Sequence, residues 1–319
     1  MEQDDKTFGP RIAAIDLGRG VALVGMAIYH LSWDFAYFRL APADLPIIPP
    51  MRLFSHAVAG AFLCLAGASL ALAHRDGVRW RAFWRRLTIV GGAAALVTIA
   101  THFSAPEETI FFGILHCIAA ASLLAAPLLR LPASIGLALS ALVLAAPLLF
   151  ASPAFNPPAL VWLGLGTVPP QTLDWRPLAP WSGCVFLGLA LTRLNLQRLV
   201  ESPLARWRPA AVASRALAWA GRRSLAIYLI HQPILFAILF ATTSLTGAGA
   251  GLDAEEFART CQRECVAGGG TAEACAPACQ CVVKGLQDAS LSRAVARDRL
   301  DNAQRLQYSR VVRLCSTGR

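Results

Sequence analysis

Four ionisable residues interrupt an apolar segment near the start of the chain: Asp16, Arg19, His30 and Asp34. Charged side chains cost several kcal/mol in hydrocarbon unless they face a protein interior or a water-filled cavity. At about 100° per helical residue, all four fall in one stripe about 60° wide. The stripe rises about 27 Å along the helix at 1.5 Å per residue. We therefore predict that it lines a cavity or the interior of a helix bundle.

The spacing within the stripe suggests what chemistry these side chains could do. Asp16 and Arg19 are i, i+3 neighbours, and His30 is four residues before Asp34, so each pair can interact on a helix. A histidine held by a carboxylate is suited to act as a general base near neutral pH. An arginine in a dry cavity binds carbonyl or anionic groups and forks to phosphate. The two pairs together would suit the passage of an acyl group across the membrane.

The same four ionisable residues could also serve other roles. A buried ion-pair network that merely locks the helix would also place these residues on one face. A proton-coupled transporter or permease would use the stripe as an ion pathway. Geometry alone leaves these alternatives open, although no convincing second copy of the 11–34 segment gives the internal repeat that is frequent in transporters.

The composition indicates an integral membrane protein. Of 319 residues, 56% are hydrophobic and only 15% are charged, whereas soluble domains carry about 25% charged residues. A membrane crossing takes roughly 20 apolar residues. We predict an all-α, polytopic transmembrane helix bundle over residues 11–245 with about seven spans, the sixth of them short. The predicted spans are 12–32, 54–73, 87–103, 109–129, 134–151, 179–192 and 224–245.

Arginine placement predicts the orientation of this bundle. Segment 74–86 holds five arginines, and segment 193–223 holds seven. With the amino terminus inside, both segments lie in the cytoplasm, as positively charged loops usually do. The net charge of +10 therefore has a topological explanation, and no nucleic-acid partner is expected. Seven crossings leave the carboxy-terminal tail, 252–319, outside.

The tail carries six of the nine cysteines: Cys261, Cys265, Cys275, Cys279, Cys281 and Cys315. The first four form two i, i+4 pairs, so each pair shares a helix face. Glycines at 268–270 would turn the chain between the two helices and give a stapled hairpin. A zinc site is the alternative, because such spacings also suit that metal. We favour up to three disulfides and expect no metal, because the predicted topology places the tail in an oxidising compartment.

Three segments match motifs of one family of membrane enzymes. RIAAIDLGRGVALVGM followed by HLSWD contains Arg19-x10-His30, which is similar to the arginine–histidine signature of membrane-embedded acyltransferases. FFGILHCIA (111–119) and GRRSLAIYLIHQPIL (221–235) are similar to two later helices of the family. Over about residues 11–240 the chain resembles heparan-α-glucosaminide N-acetyltransferase and its bacterial relatives in the membrane acyltransferase superfamily. The cysteine-rich tail lies outside the resemblance.

The resemblance implies an acyltransferase. The donor would be acetyl-CoA or a longer acyl-CoA from the cytoplasm, and the acceptor an amine or hydroxyl of an extracytoplasmic sugar or envelope glycan. His30 is the match for the family's proposed catalytic residue and would act as base or acyl carrier, oriented by Asp34. Arg19 with Asp16 would hold the acyl arm of the donor. The expected location is a bacterial inner membrane, in contact with lipid, with a periplasmic tail.

The resemblance also suggests secondary site residues. Four arginines in the basic segments are candidates for binding the donor's phosphates: Arg85, Arg86, Arg222 and Arg223. For any single one of them, ordinary positive-inside placement is the favoured explanation. His116 and His231 lie in family-like motifs and are candidates for lining the cavity, although a lone membrane histidine often just bonds a neighbouring helix. A non-catalytic scaffold that presents the tail is a further alternative.

Overall fold

The computed structural model describes residues 12–246, 250–296 and 300–316, and over these ranges it contains α-helices and short 3-10 turns but no β-strand. The all-α class predicted from the sequence is confirmed. In chain order the helices are α1 (Ala13–Tyr37), α2 (Pro49–Ala73), α3 (Trp80–Ser104), α4 (Ile114–Ala125), α5 (Ala133–Phe150), α6 (Leu178–Leu194), α7 (Leu196–Glu201), α8 (Pro203–Arg206), α9 (Val212–Arg222), α10 (Ser224–Thr246), α11 (Ala250–Ala267), α12 (Ala272–Asp288), α13 (Ser292–Ala296) and α14 (Asn302–Ser316).

Seven of these helices occupy the seven predicted apolar segments. Helices α1, α2, α3, α5 and α10 are long and apolar enough to cross a membrane, whereas α4 and α6 are apolar but shorter. The largest departure is α4, for which a span of 109–129 was predicted. Gly113 adopts an extended conformation that starts the helix at Ile114, and a 3-10 turn at Pro127–Leu129 follows its end. Residues 109–113 instead fold back onto α3, where the Ile110 amide donates to the Thr101 hydroxyl at 3.0 Å.

The basic segment between α6 and α10 contains helices that the sequence did not predict. Helix α9 buries Ala218 and Gly221 and leaves most of its other side chains exposed. A Cβ at Gly221 would collide with the carbonyl oxygen of Asp16, and one at Gly20 would collide with that of Leu217. These two glycines allow the backbones of α1 and α9 to touch, which fixes the position of the first ionisable pair of α1.

The described chain divides into two compact units. The first comprises 12–29 and 52–232, and the second comprises 30–51 and 233–316. In the first unit, Leu63, Cys117 and Val185 are fully buried between α2, α4 and α6. Small residues bring the helices close: the Ser140 hydroxyl of α5 donates to the Gly183 carbonyl of α6 at 2.8 Å. The core of this unit is therefore built on close backbone approach.

The second unit contains the cysteine-rich tail. Helices α11 and α12 form a hairpin joined at Gly268–Gly270 and held by disulfides Cys261–Cys279 and Cys265–Cys275, whose Cα atoms lie 5.9 and 5.8 Å apart. A third disulfide, Cys281–Cys315, joins α12 to α14 across 5.7 Å between Cα atoms. Val282, Leu286 and Leu291 form a small buried core there. The predicted stapled hairpin is confirmed, and the zinc alternative is excluded because all six thiols are paired.

Candidate active site

The first ionisable pair of α1 forms a defined cluster in the first unit. Arg19 Nη1 donates to Asp16 Oδ1 at 3.2 Å, and Arg19 Nη2 donates to the hydroxyl of Ser69 on α2. Ser69 in turn donates to the Leu65 carbonyl at 2.5 Å. Asp16 is buried and Arg19 is half-buried. The predicted i, i+3 contact is therefore present, and Ser69 is a partner that the spacing on α1 could not reveal.

Arg86 lies beside this cluster and faces inward. Its guanidinium is close enough to Arg19 for the two charges to repel each other, and Arg86 Nη2 makes a long contact of 3.5 Å to the Ala66 carbonyl. Asp16, Arg19 and Arg86 are the charged residues placed together here. Arg86 and Ser122 are the polar members of a narrow cavity between α2, α3 and α4, and the rest of its lining is apolar: Leu70, Phe83, Leu87, Val90 and Ala119.

The other three arginines proposed for donor phosphates have different surroundings. Arg85, Arg222 and Arg223 are exposed, and the guanidinium of Arg223 lies 5.4 Å from the ring centroid of Trp219 on α9. Solvent-exposed arginines in a basic segment are what the positive-inside arrangement predicts. The structure thus distinguishes Arg86, whose side chain faces inward and lines a cavity, from its three companions.

The second ionisable pair of α1 belongs to the second unit. Helix α1 is helical without interruption from Ala13 to Tyr37, as the spacing argument assumes. Asp34 is only 3% exposed, and His30 is half-buried. A carboxylate so far removed from solvent costs free energy unless polar groups surround it. The end of α1 is fixed nearby by Phe38, whose ring lies 4.9 Å from that of Phe236 on α10.

His116 has both ring nitrogens in hydrogen bonds. Its Nδ1 accepts from the Gly113 amide at 3.3 Å, so the neutral ring carries its proton on Nε2 and donates to the Thr98 hydroxyl at 3.1 Å. Thr98 donates onward to the Ile110 carbonyl at 2.7 Å. This series of hydrogen bonds joins the start of α4 to α3. His116 therefore has a positioning role in the first unit, which its place in a family-like motif did not predict.

Asp174 is the most informative residue that sequence reasoning missed. It lies in the loop before α6, and its Oδ2 accepts from the Ile114 amide at 2.7 Å, so it caps the start of α4. The negative charge is also favoured by the positive end of the helix dipole. The side chain of Tyr228 on α10 lies near the same carboxylate. Asp174 thus links the loop to α4.

His231 follows Tyr228 on the same helix. Its Nδ1 donates to the Tyr228 carbonyl at 2.7 Å, so in the neutral ring Nε2 carries the lone pair. The Tyr-x-x-His spacing of the late motif therefore has a structural basis, because the backbone carbonyl of Tyr228 sets the tautomer of His231. Whether His231 lines a cavity, as proposed from the motif, stays a prediction.

Arg176 anchors the same loop by a different route. Its Nη2 donates to the Ser55 hydroxyl of α2 at 2.7 Å, its Nη1 donates to the Trp175 carbonyl at 2.8 Å, and its guanidinium lies 4.8 Å from the centroid of the Trp181 ring. One weak signal for this anchor can be recognised in the sequence. Asp174 and Arg176 are isolated charges in a proline-rich segment, where a charge without a structural partner is not expected.

The comparisons with known proteins give one match. The family model described as heparan-alpha-glucosaminide N-acetyltransferase, catalytic, matches residues 11–233. No curated protein and no solved structure matches the chain. The matched residues include both ionisable pairs of α1, Arg86, Asp174 and His231, and they end before the disulfide-bonded tail. The chain therefore belongs to the heparan-α-glucosaminide N-acetyltransferase catalytic-domain family, a family of membrane acetyltransferases.

Proposed function

We propose that this protein transfers an acetyl or related acyl group from a CoA thioester to an amine or hydroxyl of a sugar or glycan on the opposite side of the membrane. The family match over residues 11–233 is the observation that carries this proposal. The matched residues include both the inward arginine cluster and His30 of α1. Both features were also the strongest functional candidates in the sequence.

The arginine cluster supports a phosphate-bearing donor. Arg19 and Arg86 supply two half-buried guanidinium groups that lie close to each other, and Arg19 is also hydrogen-bonded to Asp16. Guanidinium groups pair with phosphate through planar, bidentate hydrogen bonds. The hydroxyls of Ser69 and Ser122 add neutral polar groups beside them. These features fit the anionic part of acyl-CoA, and we assign Arg19 and Arg86 to it.

His30 would carry the proton transfer. As general base it would take the proton of the acceptor amine or hydroxyl while the acceptor nitrogen or oxygen forms a bond to the acyl carbon. The carbon–sulfur bond then breaks, and the CoA thiolate leaves and is protonated. Asp34, buried four residues further along α1, would orient the imidazole and stabilise its cationic form. A covalent acyl-histidine would use the same residue in two steps.

Purified full-length protein in lipid nanodiscs, radiolabelled acetyl-CoA and a glucosamine-terminated oligosaccharide provide the test. We expect label in the oligosaccharide, and we expect His30→Ala to lower the rate about 100-fold or more, as for loss of a general base. His102→Ala is the matched control, because His102 is exposed near the end of α3. Equal rates for both variants, or solute uptake that does not depend on CoA, would overturn the proposal.

The donor site has its own variants in this assay. Arg19→Lys keeps the charge but loses the planar fork, so we expect it to raise KM for acetyl-CoA less than Arg19→Ala does. Arg198→Ala removes an exposed arginine of α7 and serves as the control. Sealed vesicles supplied with acetyl-CoA on one face only would then establish from which side the donor enters.

A further inference from the structure

Helix α14 of the tail has an unusual distribution of charge. Its sequence, NAQRLQYSRVVRLCS, contains three arginines and no acidic residue. By contrast, α11 carries Glu255 and Glu264. The positive charge at this end of the described tail is therefore concentrated on one helix. It lies outside the residues that match the acetyltransferase family, so the function of that family does not account for it.

The inner face of α14 is fixed to the rest of the tail. Tyr308, Val311 and Val312 pack against the buried core around Val282 and Leu286. The disulfide Cys281–Cys315 holds the end of the same face. A Cβ at Gly285 of α12 would lie only 2.6 Å from Val311 Cγ1, which shows how closely the two helices approach. These contacts prevent α14 from rotating about its own axis. The same residues therefore always form its outer face.

The outer face combines leucine and arginine. Leu306 and Leu314 are each 68% exposed, and Arg310 and Arg313 are exposed between them. At about 100° per residue these four side chains fall within a sector about 100° wide. The arginines of this face can attract anionic groups, and the exposed leucines beside them can enter an apolar boundary such as a membrane interface.

We propose that this face of α14 binds the anionic headgroups of a phospholipid surface. The arginines would fork to lipid phosphates, and the two leucines would enter the boundary between headgroups and acyl chains. The tail is tethered close to such a surface, because α11 begins at Ala250, four positions after the last residue of the apolar helix α10. Such a short tether gives a high effective concentration. A soluble polyanion would satisfy the arginines but would leave both leucines in water.

Hydrogen–deuterium exchange of the full-length, oxidised protein in nanodiscs tests this proposal. We expect residues 302–316 to exchange more slowly in discs that contain phosphatidylglycerol than in discs of phosphatidylcholine alone. The difference should fall at high salt, which screens the attraction. Each arginine near an anionic surface contributes roughly fivefold to binding, so Arg310→Glu should remove most of the protection.

Arg259→Glu is the matched control, because Arg259 of α11 is 71% exposed and the substitution changes the net charge equally. It should leave the protection of 302–316 intact. Peptide mapping without reductant verifies that Cys281–Cys315 has formed in each variant. Equal exchange in the two lipid compositions would overturn the proposal. The proposal would also be overturned if a soluble anionic polysaccharide slowed the exchange of residues 302–316 more than the anionic lipid does. That result would identify α14 as a glycan-binding helix. Neither result depends on acyl transfer.

Discussion

Neighbouring helices are held together in different ways in the membrane region and in the tail. In the first unit, α2 and α6 meet at two glycines: a Cβ at Gly67 would collide with the Val185 carbonyl, and one at Gly188 would collide with the Cys64 carbonyl. Cys64 and Cys184 of these helices remain free thiols. In the described part of the tail, three disulfides join the helices around a small core that contains Val282, Leu286 and Leu291.

The difference follows from the surroundings of each region. Between helices in lipid, association gains little from the hydrophobic effect, so close van der Waals packing of small residues must supply the stability. A short polar segment has too little apolar surface to form a sufficient core, and cross-links compensate by restricting its unfolded state. Three predictions test this contrast.

The largest effect should come from Gly67→Leu. The new side chain would meet backbone atoms of α6 that cannot move aside, so we expect a loss of about 5 kcal/mol or more and little folded protein. Gly91→Leu on α3 is the control, because nothing lies within 4 Å of the corresponding Cβ position. Size-exclusion chromatography and thermal unfolding in detergent measure both variants. Equal stability of the two would contradict a packing role for Gly67.

An intermediate effect, confined to the tail, should follow from Cys281→Ser with Cys315→Ser. This disulfide spans 34 residues, for which the chain-entropy model gives about 4 kcal/mol. Cys265 and Cys275 are only 10 residues apart, so their double serine variant should lose about 3 kcal/mol. Hydrogen exchange should increase in α14 and remain unchanged in α2 and α6. Faster exchange in the membrane helices would show that the two regions are not stabilised independently.

The smallest effect concerns the helix caps. Thr271 caps α12 from the adjacent position by accepting from the Ala274 amide, and Thr271→Ala should cost about 1 kcal/mol. Asp174 caps α4 from 60 positions away, and Asp174→Ala should cost roughly 1–2 kcal/mol because charge and dipole are both involved. Exchange should increase in the 152–177 loop as well as in α4 for Asp174→Ala, but only at the start of α12 for Thr271→Ala. Loosening of α4 alone would show that Asp174 does not anchor the loop.

The sequence by itself determined the helical class, the seven apolar segments and the presence of disulfides within the tail. These are local properties: apolar length, 100° periodicity and cysteine spacing can be read without knowledge of the fold. The contact between Asp16 and Arg19 was predictable for the same reason. The family resemblance was likewise readable from three short motifs, and the match over residues 11–233 confirms it.

Only the tertiary structure decided how distant segments meet. Six cysteines allow 15 pairings, and spacing did not choose among them. Ser69 lies 50 residues from Arg19, and Asp174 lies 60 from Ile114, so neither partner leaves a periodic signal. Arg85 and Arg86 are neighbours in sequence, yet one is exposed and the other faces a cavity. Helix rotation and the contacts of neighbouring helices decide such differences, because composition records which side chains are present but not which atoms they reach.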